Sequence, residues 1–251
     1  MSGTVQIRFY EELNDFLPLE RRKVAFHHQF TLPGSIKDMI EALGIPHTEV
    51  DLILVNGRSV DFNYTVQDGD RVSVYPVFES LDITPVTRLR PVPLRTIRFV
   101  LDTHLGRLAA YLRLFGFDTL YRNDYDDRTL ADISADQRRI LLTRDRQLLM
   151  RKQITHGYYV RATQPQKQLL EVLNRFDLRK TRQPFTRCMH CNGEINPVAK
   201  EEIAPRLLPR TRAGYNQFRQ CAQCRKIYWK GSHYRRLQQL VEAVSDNGGS
   251  G

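Results

Sequence analysis

The sequence predicts a mixed α/β protein in three parts. These are a β-rich α+β head over residues 1–82, a three-layer α/β/α parallel-sheet domain over 97–178, and a cysteine-bearing module over 179–251. Three observations predict it. Within residues 97–151, three short apolar runs each reach an aspartate, and helix-period segments separate them, the order that builds a parallel sheet. Residues 1–82 instead alternate apolar and polar side chains around one helical stretch. All four cysteines fall in two Cys-x-x-Cys pairs, Cys188/Cys191 and Cys221/Cys224, with residues 192–220 between them.

At 251 residues the chain has room for two or three domains and a sizeable core. Its net charge of +10 is unevenly spread. The head holds 7 Lys and Arg against 13 Asp and Glu, a balance of −6. Residues 83–178 hold 17 against 10, and residues 179–236 hold 14 against 3. An acidic head on a basic body fits a polyanionic partner for the body, nucleic acid first; a solvated basic surface is the plainer reading. No run approaches the ~18–20 apolar residues of a membrane span, and no secretory pattern opens the chain. The expectation is therefore a cytoplasmic protein with no membrane partner. There, paired cysteines read as metal ligands before disulfides.

In the head, Val5, Ile7 and Phe9 give a half-buried strand, and residues 24–30 (VAFHHQF) its hairpin partner. His27 and His28 read as strand-surface residues. Ser35 is placed to cap a helix carrying Ile36, Met39, Ile40 and Leu43 on one face, closed by Gly44 and Pro46. Residues 52–55 lead into an Asn56-Gly57 turn, and Asp68-Gly69 precedes a last strand over 71–78. This order resembles the ubiquitin-like β-grasp, especially its sulfur-carrier branch. Sulfur carriers end on a free Gly-Gly, whereas here the strand runs into Glu79-Ser80-Leu81-Asp82. Carrier chemistry is therefore set aside in favour of an interaction role with a protein partner. The final Gly248-Gly249-Ser250-Gly251 reads as a flexible tail.

Residues 83–96 carry Pro85, Pro91 and Pro93 among basic residues and read as a semi-extended linker. The domain that follows has strands over 97–102, 117–122 and 139–144, then one over 157–160. Its helices cover about residues 105–115, 128–135, a turn or two after Asp145, and 165–176. Right-handed crossovers bring the strands' carboxyl ends to one edge, where open α/β sheets hold ligands. Asp102, the run Asp124-Tyr125-Asp126-Asp127, and Asp145 would meet there. Close like charges require a cation, and carboxylate oxygens suit Mg²⁺ or Mn²⁺. The competing reading makes Asp102, Asp127 and Asp145 helix N-caps; a cap needs only an acceptor, whereas a hard-cation site needs charge.

Two thiolate pairs on tight turns can close a tetrahedral Cys₄ site of the structural Zn²⁺ type, with Cys188, Cys191, Cys221 and Cys224 as ligands. His190 and His233 could serve as substitute ligands but read as lying outside that shell. Around the second pair, basic residues (Arg219, Arg225, Lys226, Lys230) interleave with aromatics including Trp229, the mixture that grips single-stranded nucleic acid through phosphates and base faces. Some of those aromatics must also form the module's own core. A short terminal helix is expected over 235–244.

The blocks VLDTHLGRLAAYLRLFGFDTLY, DYDDRTL and RRILLTRDRQLL resemble the PIN-like ribonuclease domain of the Mut-seven exonuclease C-terminal family. The block RCMHCNG…QCAQCRKIYWKGSH resembles that family's zinc-binding extension, and some bacterial members carry a ubiquitin-like head. The resemblance implies a PIN-like fold and divalent-metal-dependent RNA cleavage. By position it implies Asp102, Asp127 and Asp145 as catalytic metal ligands, with Asp124 or Asp126 replacing or joining the middle one. Paired cations would activate a water and stabilise the departing oxygen. Arg144, Arg146 and Arg107 are then candidates for the phosphate, Arg144 as a catalytic group, unless they pair with these same aspartates. Thr143 could bond a metal-bound water. The expected function is an RNA-cutting hydrolase, transfer RNA being among the substrates considered. The alternative is a non-catalytic RNA- or ribosome-binding adaptor. A phosphatase or phosphoreceiver is disfavoured, because residues 97–151 contain no lysine.

Overall fold

The structure, a computed structural model, describes residues 2–31, 33–76, 89 and 96–246. It comprises two compact units, residues 1–96 with 125–160, and residues 97–124 with 161–251.

The head is built as its alternation predicts. Strand β1 (Ser2–Phe9) buries Val5, Ile7 and Phe9, and pairs antiparallel with β2 (Phe26–Thr31). The connection is not a tight hairpin. It carries two 3₁₀ turns, Glu11–Phe16 and Leu19–Arg21, which sink Leu13, Phe16 and Leu17 into the core. Asn14 holds the excursion together: its amide donates to the carbonyls of Phe9 and Glu11 (3.1 and 2.9 Å) and accepts from the Lys23 N–H (2.6 Å). Helix α1 (Ile36–Ala42) starts where Ser35 Oγ accepts from the Asp38 N–H at 3.1 Å. Strands β3 (Val50–Val55) and β4 (Arg58–Val60) join through Asn56 (φ 51°) and Gly57 (φ 80°), the two positive φ values of a type I′ hairpin turn. Strand β5 (Arg71–Pro76) completes a sheet of order β2-β1-β5-β3-β4, with β1 and β5 parallel. That is the β-grasp arrangement. The linker over 83–88 and 90–95 and the glycine-rich tail lie outside the described residues, as do residues 77 and 78 of the expected last strand.

Residues 97–178 give parallel α/β structure with shorter strands than the apolar runs suggest. In order come β6 (Phe99–Leu101), α2 (Gly106–Leu114), β7 (Thr119–Leu120), α3 (Asp127–Gln137), β8 (Ile140–Thr143), α4 (Arg146–Leu149), β9 (Gly157–Tyr159) and α5 (Pro165–Arg175). β6 pairs parallel with β7, and β8 with β9. The mixed α/β class with parallel strands expected from the sequence therefore holds. The apolar stripe of α2 (Leu108, Ala109, Leu112) is fully buried, and Phe99 meets Phe117 and Phe176 edge-on. Each such large side chain contributes roughly 1.5–3 kcal/mol on burial. Gly116 closes α2 at φ +93°, where an added Cβ would also lie 2.3 Å from the Gln183 carbonyl oxygen.

The last part folds as β10 (Ile195–Val198), α6 (Lys200–Ile203), α7 (Pro209–Gly214), β11 (Phe218–Cys221), β12 (Ile227–Trp229) and α8 (Ser232–Asp246). The three strands form an antiparallel sheet in the order β10-β11-β12. Helix α8 begins three residues earlier than the sequence pattern indicates.

Each unit closes a strand edge with side chains from far along the chain. In the first, the Tyr159 N–H of β9 donates to Glu49 Oε1 at 2.7 Å, and His47 Nε2 lies 2.9 Å from the Ile154 carbonyl. Phe16 packs edge-on to Tyr159. In the second, the Thr119 N–H of β7 donates to Asn192 Oδ1 (3.0 Å), while its carbonyl accepts from Arg113 Nε (2.9 Å). An uncovered edge offers unpaired backbone groups to other chains, so these side chains complete the strands as much as they attach domains.

Candidate functional site

Among the described residues, one group of three or more potential metal ligands lies within 4.8 Å of one another: Cys188, Cys191, Cys221 and Cys224. The local fold places them by the same device twice. In the first knuckle the Asn192 N–H donates to the Cys188 carbonyl and the Cys188 N–H to the Gly193 carbonyl (2.9 and 2.7 Å). In the second, the Arg225 N–H donates to the Cys221 carbonyl and the Cys221 N–H to the Lys226 carbonyl (3.1 and 2.9 Å). Asn192 and Arg225, each just after the second cysteine, take left-handed backbone (φ 72° and 60°). Gly193 is needed because a Cβ there would lie 2.9 Å from Cys221 Sγ.

The Sγ atoms of Cys188 and Cys224 stand 3.6 Å apart, and those of Cys191 and Cys221 3.4 Å. A tetrahedral ion with bonds of 2.3 Å sets its sulfurs about 3.8 Å apart, so the cage is of the right size. Cys188 is the most readily ionised of the shifted thiols. Burial raises its pKa, but hydrogen bonds from the Tyr228 hydroxyl (2.9 Å) and from the Cys191 and His190 N–H groups outweigh this and bring it to about 7. Burial instead pushes Cys191 up, and Cys224 up to about 12.

The predicted carboxylates are distributed over both units: Asp102 and Asp124 belong to one, Asp127 and Asp145 to the other. Asp102 directly follows β6 and is only 7 % exposed; its Oδ1 accepts from the Thr103 N–H, and Oδ2 lies 3.5 Å from His104 Nδ1. Asp145 follows β8 and caps α4, accepting from the Gln147 and Leu148 N–H groups (2.8 and 3.4 Å), while its own N–H donates to the buried Thr143 Oγ1. The cap of α3 is Asp126, which accepts from the Thr129 N–H at 2.7 Å; hydrogen bonds from Thr129 lower its carboxyl pKa. Asp127, expected just before the helix, is its first residue and pairs with Arg151 at 3.4 Å. Asp124 is held bidentately by Arg122, whose hydrogen bonds lower its pKa.

The basic candidates separate into groups. Arg107 is exposed on α2. Arg144 donates to the Val160 carbonyl (2.9 Å), and Arg146 donates to the Phe16 carbonyl (3.2 Å) while lying over the Phe16 and Tyr159 rings. Arg219, Lys226, Trp229 and Lys230 line one cavity of about 1040 Å³. Arg225 lies outside that lining; it turns the second knuckle, and its carbonyl accepts from Arg206.

Sequence reasoning passed over His104, Asn192 and Arg113, and read Tyr228 only as one of the aromatics among the basic residues, not as the partner of Cys188. The buried Arg113 ties α2 to β7 and to the first knuckle, donating to the carbonyls of Thr119, Met189 and His190. Asn192, besides its bond to Thr119, donates to Asp118 Oδ1 (2.8 Å). The Asn-Gly pair after Cys191 was the available signal for Asn192. For the tie from Arg113 to the knuckle none existed, because Met189 and His190 lie over 70 residues away.

Parallel α/β strands followed by aspartates, a β-grasp head and paired cysteine knuckles define the class of protein: a multipart α/β chain with a four-cysteine cluster that could hold a metal ion. A family model described as Mut7-C RNAse domain matches residues 97–241, and one described as Mut7-C ubiquitin matches residues 2–82. The chain belongs to the Mut7-C RNAse domain family and carries that family's ubiquitin-like head, as its sequence blocks imply. No curated protein and no solved structure matches it. No helix among the described residues is long and apolar enough to cross a membrane.

Proposed function

We propose that the chain is a divalent-metal-dependent ribonuclease in which residues 97–178 cut RNA and the basic module grips it. The observation that carries the reading is the match of residues 97–241 to a ribonuclease domain family whose strands here lead into aspartates, Asp102 after β6 and Asp145 after β8. Asp102, Asp127 and Asp145 would hold Mg²⁺ or Mn²⁺, which supplies water activation and charge neutralisation at the phosphodiester. Asp124 would first have to release Arg122 to join them. The Thr143 hydroxyl fixes the Asp145 backbone. Arg144, with Arg107 and Arg146 as further phosphate contacts, would neutralise charge on the transferring phosphate. The cysteine cage takes Zn²⁺ as a closed structural site. The domain limits proposed are 1–82, 83–96, 97–178 and 179–251, with the head as a protein-docking part and the cytoplasm as the compartment.

The cap hydrogen bonds at Asp102 and Asp145 favour a second reading, an RNA- or ribosome-binding adaptor in which these carboxylates only start helices. Asparagine separates the two, because it caps about as well as aspartate and carries no charge. Asp102→Asn and Asp145→Asn should therefore keep the fold and abolish cleavage of an RNA pool supplied with Mg²⁺ or Mn²⁺. Cleavage retained at the wild-type rate in both variants sinks the nuclease reading.

A further inference from the structure

We infer that the cavity between the sheet of the cysteine module and α8 is a binding site for unpaired bases of single-stranded RNA, with Trp229 as the stacking surface. The inference rests on the ribonuclease reading for the identity of the polymer and goes beyond it in fixing where, and in what state, the strand is held.

The cavity, about 1040 Å³, is at the upper end of ligand-sized pockets and has room for more than one base. Its walls combine two chemistries. Tyr215 and Trp229 supply π-faces and Arg210 and Lys226 supply cations, while Tyr234 packs against Phe185 (ring centroids 4.6 Å apart) with Lys230 Nζ over it at 6.0 Å. Among the described residues no carboxylate contributes to the lining. The Arg210 and Lys226 side chains make no hydrogen bond or ion pair among the described residues, unlike Arg187 and Arg219, whose guanidinium groups bond backbone carbonyls. Free cations beside the exposed Trp229 and the half-buried Tyr215 suit a ligand that brings both phosphates and flat faces.

The aromatic geometry favours an inserted base. Trp229 is 38 % exposed although its neighbours on β12 are half-buried. The Tyr215 and Trp229 rings are inclined by 53° with centroids 6.4 Å apart, so neither covers the other's face. Gly231 is buried behind the indole, and a Cβ there would fall 2.8 Å from Trp229 Nε1. The backbone thus holds the indole at the cavity wall. In a duplex each base face is covered by its neighbours, so these rings can take only bases that are unstacked.

Trp229 is the one tryptophan of the chain, so its fluorescence reports the site alone. The full chain, zinc-loaded and without added Mg²⁺ or Mn²⁺, is titrated with an unstructured RNA strand of about 12 nucleotides, within the usual span of single-strand sites. Saturable quenching of Trp229 is expected, with none from the same strand annealed to its complement. Trp229→Ala, followed by anisotropy of a labelled strand, should weaken binding between about fivefold and a hundredfold. Lys226→Gln with Arg210→Gln, both surface changes, should weaken it as well, which keeps the test valid should Trp229→Ala fail to fold. Anisotropy rising with Trp229 emission unchanged overturns the proposal, as does equal quenching by duplex or wild-type affinity in the double charge variant. RNA that quenches but is not cleaved once Mg²⁺ or Mn²⁺ is added leaves the cavity standing and removes the nuclease reading. RNA that is cleaved without touching Trp229 does the reverse.

Discussion

At the scale of single residues, two adjacent carboxylates do different work. Asp126 accepts the Thr129 N–H and starts α3, while Asp127 points its charge outward and meets Arg151. Asp126→Ala is expected to lower the urea midpoint of unfolding and Asp127→Ala to leave it nearly unchanged, since exposed ion pairs contribute little. If Asp127 is a metal ligand, cleavage falls in the second variant. Parallel urea titrations and cleavage assays check both, and a stability loss in Asp127→Ala with cleavage intact would reverse the assignment. The run Asp124-Tyr125-Asp126-Asp127 announced a helix start but not which carboxylate caps it, because a one-residue shift leaves the composition unchanged. Asp102 and Asp145 were legible individually, as the residues that end apolar runs.

At the scale of elements, what was legible was local. The Asn56-Gly57 turn, the Ser35 cap and the Cys-x-x-Cys knuckles each rest on residues a few positions apart, and each formed as expected. What was hidden rests on partners distant in sequence: Asn192 on β7, Arg113 on the first cysteine knuckle, Glu49 and His47 on the β9 segment. This coupling has a measurable consequence. An ion in the proposed cysteine site would hold the knuckle that carries Asn192, so stripping it should release the Thr119 N–H from its side-chain acceptor. Amide exchange at Thr119 is expected to quicken on chelation, and unchanged protection would show that the cage and the strand are independent. Metal uptake should also tighten as pH rises from 6 to 8. Burial holds the Cys191 and Cys224 thiols in their protonated forms, and those protons must leave before the sulfurs bind. Competition against a chelator across that range checks the sign.

At the scale of the molecule, the acidic head is part of the structure of its unit. Glu49, His47 and Phe16 close the β9 segment, so a chain lacking residues 1–82 is expected to lose stability and to associate through the bared strand. Size-exclusion chromatography and thermal unfolding of that truncation test it; a monomer of unchanged stability would assign the head to recruitment alone. Composition had shown the charge contrast between head and body but not this attachment, which depends on buried polar side chains, Glu49 among them, that a reading of surface charge passes over. The central claim is that aspartates after parallel strands hold a divalent ion that cuts RNA. Its most direct measurement is cleavage of total RNA by the zinc-loaded wild type and by Asp145→Asn, each with and without added Mg²⁺ or Mn²⁺. Cleavage by the wild type only when the ion is added, with Asp145→Asn folded, RNA-bound and inactive, is the expected result. Equal cleavage by both proteins, or none by the wild type at any concentration of either ion, would contradict it.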